Sequence, residues 1–217
     1  MYELPLFPLQ AVLLPGTSLR LHIFEERYKR MINLCLNTGH PFGVVLIRHG
    51  VEALGALADP FLIGCTAQIA QVQHLPEGRM NIAATGQERF NILSLNNQLQ
   101  PYLVGYVEPN PLRHTDALSL KTSGNQLRLW VEQYLNILAE AGVSQLALDQ
   151  LPDNPADLAY MAAAFVQMSN REKQELLSLD LAEDVVEEMI RVYRREIALL
   201  KAMLARGSQE SGVISTN

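Results

Sequence analysis

The stretch LFPLQAVLLPGTSLRLHIFEERYKRM, residues 6–31, predicts how the first half of the chain is built. Pro5, Pro8 and Pro15 interrupt the apolar residues at this end of the chain. Because proline has no N–H for a strand ladder, this part is expected to be an edge strand or an extended arm. Pro15 and Gly16 fit a type II turn, since proline presets φ and glycine accepts a positive φ. The stretch therefore predicts an extended segment, a sharp turn and then a charged helix.

The charged segment after the turn has the period of an amphipathic helix. Its apolar residues recur at i, i+4, i+7, i+8 and i+11, which predicts a helix over about 24–38 with one buried face. Glu25 and Glu26 lie in the first turn and are expected to pair with Lys29 and Arg30. If its ring is fully buried, Phe24→Ala would cost roughly 3–5 kcal/mol. The predicted buried face consists of Phe24, Tyr28, Met31, Ile32 and Cys35.

Short apolar segments bounded by turn residues follow this helix. They predict strands, with a loop at 49–60 and a tight turn at 76–79. Several short strands around a single early helix favour a small β-barrel over a parallel sheet. The strand segments are FGVVLI (42–47), IGCTAQIAQVQHL (63–75), the alternating residues from Met80, and YLVGYVE (102–108).

The sequence pattern changes after Pro109 and Pro111, where helical periodicity replaces strand alternation. The apolar residues of the last helix step by four and three from Val186 to Leu204, which predicts a long amphipathic helix. The chain is therefore expected to have an α+β fold. The predicted parts are a β-rich barrel (1–112), a helical bundle with a long final helix (113–206) and a disordered tail (207–217).

Composition argues against several classes of protein. The net charge is −6 and neither half has a basic surplus, so a nucleic-acid partner is not expected, although Arg20, Arg48 and Arg79 could still form a basic cleft. The longest apolar run, Ala159 to Val166, is too short to span a bilayer, so no membrane association is expected. No signal peptide precedes the first strand, and the expected location is the cytoplasm.

No arrangement of reactive side chains predicts catalysis. None of the four lysines follows a glycine, so the GxxxxGK[ST] phosphate loop is absent from the sequence. The five histidines are scattered without the spacing of metal ligands, and the two cysteines lie among apolar residues that favour buried thiols. We therefore expect no catalytic residue, no cofactor and no metal.

Seven motifs together resemble a known family, the N-terminal domain of Lon proteases. They occur in the order expected of that domain, and together with the long final helix the resemblance covers about residues 3 to 204. The motifs are LPLFPL (4–9), LLPGTSLRLHIFEERYKRMI (13–32), FGVVLI (42–47), IGCTAQIAQV (63–72), LPEGRMNIAATGQERFNI (75–92), YLVGYVE (102–108) and REKQELLSLD (171–180).

The resemblance implies a barrel similar to the PUA domain, followed by a helical bundle. It also implies a non-catalytic module that binds unfolded or extended polypeptide, or a protein partner, and that acts as an adaptor in proteolysis or quality control. The ATPase phosphate loop and the Ser-Lys protease segment of a full Lon protease are missing from this sequence. An RNA-binding PUA-like protein is the alternative that the fold leaves open.

Ten residues within these motifs are candidate key positions, all of them expected to be structural. Gly64 and Gly86 suit close backbone approach or a bulge. Arg89 is either an exposed charge on a strand edge or the partner of an acid in the early helix. The full set is Pro15, Gly16, Phe24, Glu25, Arg27, Tyr28, Gly64, Gly86, Arg89 and Phe90.

Overall fold

The computed structural model describes the backbone of residues 1–50, 59–98, 100–142 and 150–213, and side chains as far as residue 204. Two compact units are present. The barrel unit comprises Met1–Arg113 and Met168–Asp180, and the helical unit comprises His114–Gln167 and the chain from Leu181 onward.

The described residues of the barrel unit form seven strands and two helices, which confirms the α+β prediction. The early helix, α1, is Glu26–Thr38, and a single 3-10 turn covers Pro76–Gly78. Residues 51–58 of the predicted loop lie outside the described residues. The strands are β1 (Tyr2–Leu9), β2 (Ser18–Ile23), β3 (Phe42–His49), β4 (Asp59–Pro60), β5 (Ile63–His74), β6 (Met80–Asn96) and β7 (Leu103–Pro109).

Parallel pairing of β1 with β3 closes the sheet into a ring. The strand order is β1-β7-β6-β5-β3, while β2 pairs with β6 and β4 pairs with β3. Tyr2–Leu6 pair with β7, and from Leu6 onward β1 pairs with β3 on its other side. The prediction of an edge strand therefore holds before and after Leu6, where β1 has one neighbour, and fails at Leu6, where β1 pairs on both sides. Pro5 and Pro8 are tolerated because each lies where β1 pairs with only one neighbour.

Helix α1 packs its apolar face on the barrel, as its period predicts. Tyr28, Met31, Ile32 and Cys35 are buried. Phe24 lies before the helix and is 50% exposed, so its predicted burial was wrong. The helix begins only at Glu26, and Phe24 therefore lies outside its 3.6-residue repeat.

The predicted turn forms and is held against β6. Gly16 has φ +73°, and the Thr17 N–H donates to the Leu14 carbonyl at 3.1 Å. Two backbone hydrogen bonds of 2.9 Å join the Gly16 N–H to the Gly86 carbonyl and the Gly86 N–H to the Thr17 carbonyl. A Cβ on Gly86 would lie 2.3 Å from the Leu14 carbonyl oxygen, so this contact requires glycine.

A short helix from late in the sequence completes the barrel unit. This helix, α4, is Asn170–Ser178 and begins with a capping box between Ser169 and Glu172. The Gln174 side-chain amide donates to the Ile63 carbonyl at 3.1 Å. Sequence periodicity grouped α4 with the other helices, whereas its contacts place it in the barrel unit.

The helical unit consists of α2 (Ala117–Glu140), α3 (Pro155–Ala162) and α5 (Ala182–Val213). Its core includes Tyr193, whose hydroxyl donates to the Ala162 carbonyl at 3.0 Å. Helix α5 continues through residues 207–213, where the sequence predicts a disordered tail, and residues 214–217 lie outside the described residues. No helix in the described part of the chain is long and apolar enough to cross a membrane.

The carboxylate of Glu183, at the start of α5, caps the entry to α2. Its Oε1 accepts hydrogen bonds from the Thr115 N–H at 2.7 Å, the Asp116 N–H at 2.9 Å and the Thr115 hydroxyl at 3.1 Å. These donors, chiefly the Asp116 N–H, lower the pKa of Glu183 to about 2.

We expect Glu183→Ala to lower the melting temperature at pH 7 by several degrees, because it leaves these donors without their acceptor. The folded pKa is depressed, so the stabilisation is complete above the unfolded pKa of 4.5 and is lost as the pH falls towards about 2. The melting temperatures of the parent protein and of Glu183→Ala should therefore converge as the pH falls from 4.5 towards about 2. Glu140→Ala, on the exposed end of α2, is the control, and a constant gap down to the lowest pH would contradict the assignment.

We expect Gly86→Ala to lower the free energy of unfolding by about 1–3 kcal/mol, because the new Cβ meets a main-chain oxygen that cannot change rotamer. Phe24→Ala removes a half-exposed ring and should cost about 1 kcal/mol or less. Urea unfolding of the two variants measures both values. Equal losses would mean that the turn does not depend on close approach at Gly86.

Candidate functional site

The motif residues of the early helix form a layered stack. The Glu25 carboxylate accepts from Arg27 Nε at 3.0 Å, and the Arg27 guanidinium carbon lies 4.6 Å from the centre of the Tyr28 ring. The Tyr28 ring in turn stacks on Phe7, with the ring centroids 4.0 Å apart. Glu25 therefore pairs within its own turn, with Arg27 as its partner. The stack holds α1 on β1 and is structural.

The motif residues of β5 and β6 lie inside the barrel unit. A Cβ on Gly64 would lie 2.6 Å from the Phe90 ring, which is fully buried. Arg89 is only 4% exposed, so its reading as an exposed edge charge was wrong. Its guanidinium donates to the Leu179 carbonyl at 2.7 Å, just after the end of α4. This contact complements the carbonyl end of the helix.

A groove of about 520 Å³ opens on the barrel unit between the start of β1 and the end of α1, and we refer to it as the β1–α1 groove. It contains none of the ten motif residues. Its walls are mainly apolar and aromatic. The principal lining residues are Tyr2, Pro5, Leu34, His40, Tyr102 and Val104.

Strand pairing determines where this groove lies. β3 joins β1 only from Leu6, so on that side Tyr2–Pro5 pair with no strand in the described part of the chain. Gly39 ends α1 with φ +70° and leads to Pro41, which lacks an N–H with which to extend the ladder. An open strand edge therefore runs beside an apolar groove.

The thiol and the two phenols in the groove are unsuited to nucleophilic chemistry at neutral pH. Burial raises the pKa of the Cys35 thiol to about 11. Burial is also the main cause that raises the pKa values of Tyr2 and Tyr102 above their usual value. The thiol and both phenols are therefore protonated, and none of these three groups is an activated nucleophile. No cluster of three or more metal-ligating side chains occurs among the described residues.

A second, polar surface covers the outer face of β2, β6 and β5. His22 Nδ1 lies 2.7 Å from Asn81 Oδ1, and the Asn81 amide donates to Gln73 at 3.1 Å. These side chains hydrogen-bond one another across the three strands. The surface shows no convergence of apolar groups comparable with the β1–α1 groove.

The sequence did not predict the groove, because its residues come from three distant segments of the chain. One feature of the sequence could have indicated it: Leu34 is a large apolar residue that falls outside the apolar stripe of α1, on an otherwise polar helix face. In the structure Leu34 is 45% exposed.

Comparisons with known proteins agree with the resemblance seen in the motifs. Residues 3–194 match the family model of the ATP-dependent protease La (LON) substrate-binding domain. The chain is 25% identical over 176 residues to the Lon protease of Anaeromyxobacter dehalogenans and 23% identical over 203 residues to that of Escherichia coli. These matches cover 80% and 92% of this chain but only 21% and 25% of the two relatives. The chain thus spans a quarter or less of their length.

Two solved structures share the fold. The Lon N-terminal domain protein from Xanthomonas campestris is 26% identical, with a TM-score of 0.64 over 88% of this chain and 98% of that one. The N-terminal domain of the Mycobacterium avium complex Lon protease is 15% identical, with a TM-score of 0.67 over 89% and 98% of the two chains, and this likeness concerns the fold alone. Since the family match extends over most of the sequence, the chain belongs to the family of LON substrate-binding domains.

Proposed function

We propose that this protein binds extended polypeptide segments of other proteins in the β1–α1 groove and has no catalytic activity of its own. The observation that carries the proposal is the open edge of β1 at Tyr2–Pro5, which runs beside an apolar groove of about 520 Å³. Membership of a substrate-binding family supports the same role.

An extended segment can use both features at once. Its main chain would pair with the open edge of β1, while alternate side chains would enter the groove beside Leu34, Tyr102 and Val104. A folded protein keeps its apolar strands paired, so unfolded polypeptide is the favoured ligand. Binding must offset the ordering of a flexible chain over a small interface, so the dissociation constant should be about micromolar or weaker.

The adaptor role in proteolysis or quality control is part of this proposal. The matched relatives are Lon proteases, and this sequence lacks the GxxxxGK[ST] phosphate loop that an ATPase would need. The groove supports binding of a polypeptide without its hydrolysis, since the thiol and phenols of the groove are protonated at neutral pH. The free, buried thiols of Cys35 and Cys65 support a reducing cytoplasmic location.

The RNA-binding alternative receives less support. Two of the three arginines that could have formed a basic cleft lie beside carboxylates. Arg48 is 2.8 Å from Asp59, and Arg79 is 3.7 Å from Glu77. With a net charge of −6, the chain offers little to attract phosphates.

The test compares two exposed leucines on helices. Leu34→Glu puts a carboxylate into the apolar groove, and Leu129→Glu, at a position 66% exposed on α2, is the matched control. We expect reduced, carboxymethylated lactalbumin to bind the parent protein and the native form not to bind. Leu34→Glu should weaken binding roughly tenfold or more, because burial of a leucine-sized contact is lost. Leu129→Glu should bind like the parent.

Fluorescence titrations at low and moderate salt also separate the two classes of ligand. Binding of the unfolded protein should change little with salt, whereas a phosphate-driven contact with tRNA would weaken steeply. If only tRNA binds and added salt abolishes the binding, the RNA-binding function replaces the one proposed. If Leu34→Glu and Leu129→Glu weaken the binding of the unfolded protein equally, the binding site does not lie in the groove.

A further inference from the structure

The β1–α1 groove carries a negative charge at one end. Glu3 lines the groove beside Tyr2, and burial, followed by the negative charge of Glu88, raises the pKa of Tyr2. Glu3 thus places a carboxylate at the Tyr2 end of the groove.

The other side chains that line the groove do not balance the charge of Glu3. The lining residues in the described part of the chain include no Lys or Arg, and the remaining titratable nitrogen is the imidazole of His40. Leu34, Tyr102 and Val104 form an apolar stretch, and Glu3 with the 39% exposed ring of Tyr2 forms its acidic, aromatic end.

We propose that the β1–α1 groove selects segments in which a Lys or Arg lies next to a short apolar run. This inference rests on the proposed function and adds a substrate class to it. The aliphatic stem of Lys or Arg would lie over Pro5, and its cationic head would reach the Glu3 carboxylate and the face of the Tyr2 ring. Arg should be at least as good as Lys, because its planar guanidinium both stacks and forms paired hydrogen bonds.

The contribution of charge to binding is expected to be modest, because Glu3 is exposed and its charge is screened. Exposed ion pairs change an affinity by only about two- to fivefold. Apolar contact would therefore supply most of the binding, and Glu3 would set the order of preference among apolar segments. The preference should shrink as salt shortens the screening length to a few ångströms, whereas the apolar part should persist.

Four capped peptides test this selection. They share the run Val-Phe-Leu-Val flanked on both sides by Arg, Lys, Gln or Glu, with a serine at each end and a fluorophore on the carboxyl side. Titration of the parent protein at low salt should give affinities in the order Arg, Lys, Gln, Glu, with the Lys peptide about two- to fivefold tighter than the Gln peptide.

Two variants locate the effect. Glu3→Gln should reduce the Lys-over-Gln preference towards one, and Glu140→Gln, an equal change of charge on α2, should retain the preference. Equal binding of all four peptides to the parent, or an unchanged preference in Glu3→Gln, would overturn the charge selection and leave groove binding intact. If none of the peptides binds and carboxymethylated lactalbumin does not bind either, the proposed function and this inference fail together.

Discussion

The barrel depends on one strand crossing from one neighbour to another at a single residue. Leu6 is fully buried and pairs with Leu103 on one side and with Gly43 on the other. The approach is so close that a Cβ on Gly43 would lie 2.6 Å from a Leu6 methyl group. Closing the ring in this way removes most of the exposed strand edges that an open sheet would carry. It also determines where an edge remains, because β1 before Leu6 has a partner on one side only.

The elements with strong local periodicity could be predicted from the sequence. Helix α1, the strands after it and the long final helix all follow from repeats of 3.6 or two residues and from nearby turn residues. The errors concern partners far away in the chain. The pairing of Leu6 on both sides was missed because the switch of β1 between two neighbours cannot be read locally, and α4 was grouped with helices because its contact with Ile63 spans more than a hundred residues.

The groove was beyond prediction for the same reason. Its walls come from residues 2–5, 34–41 and 100–104, and no short-range pattern brings these segments together. The similar structures make a related point. A chain only 15% identical has a TM-score of 0.67 with this one, so the fold survives replacement of most side chains. What the fold demands is a pattern of burial together with a few close backbone contacts, such as the one at Gly86.

The barrel unit is discontinuous, since residues 114–167 of the helical unit separate its strands from α4. On the ribosome, all seven strands are therefore made well before the helix that contacts them through Arg89 and Gln174. Until Asp180 has been synthesised, the guanidinium of Arg89 lacks the Leu179 carbonyl as an acceptor. The surface of the strands that α4 contacts is not yet covered at that stage. Closing so long a loop late in synthesis raises the contact order and slows the final step of folding. A nascent chain that stops near residue 113 thus lacks the last structural element of the barrel unit.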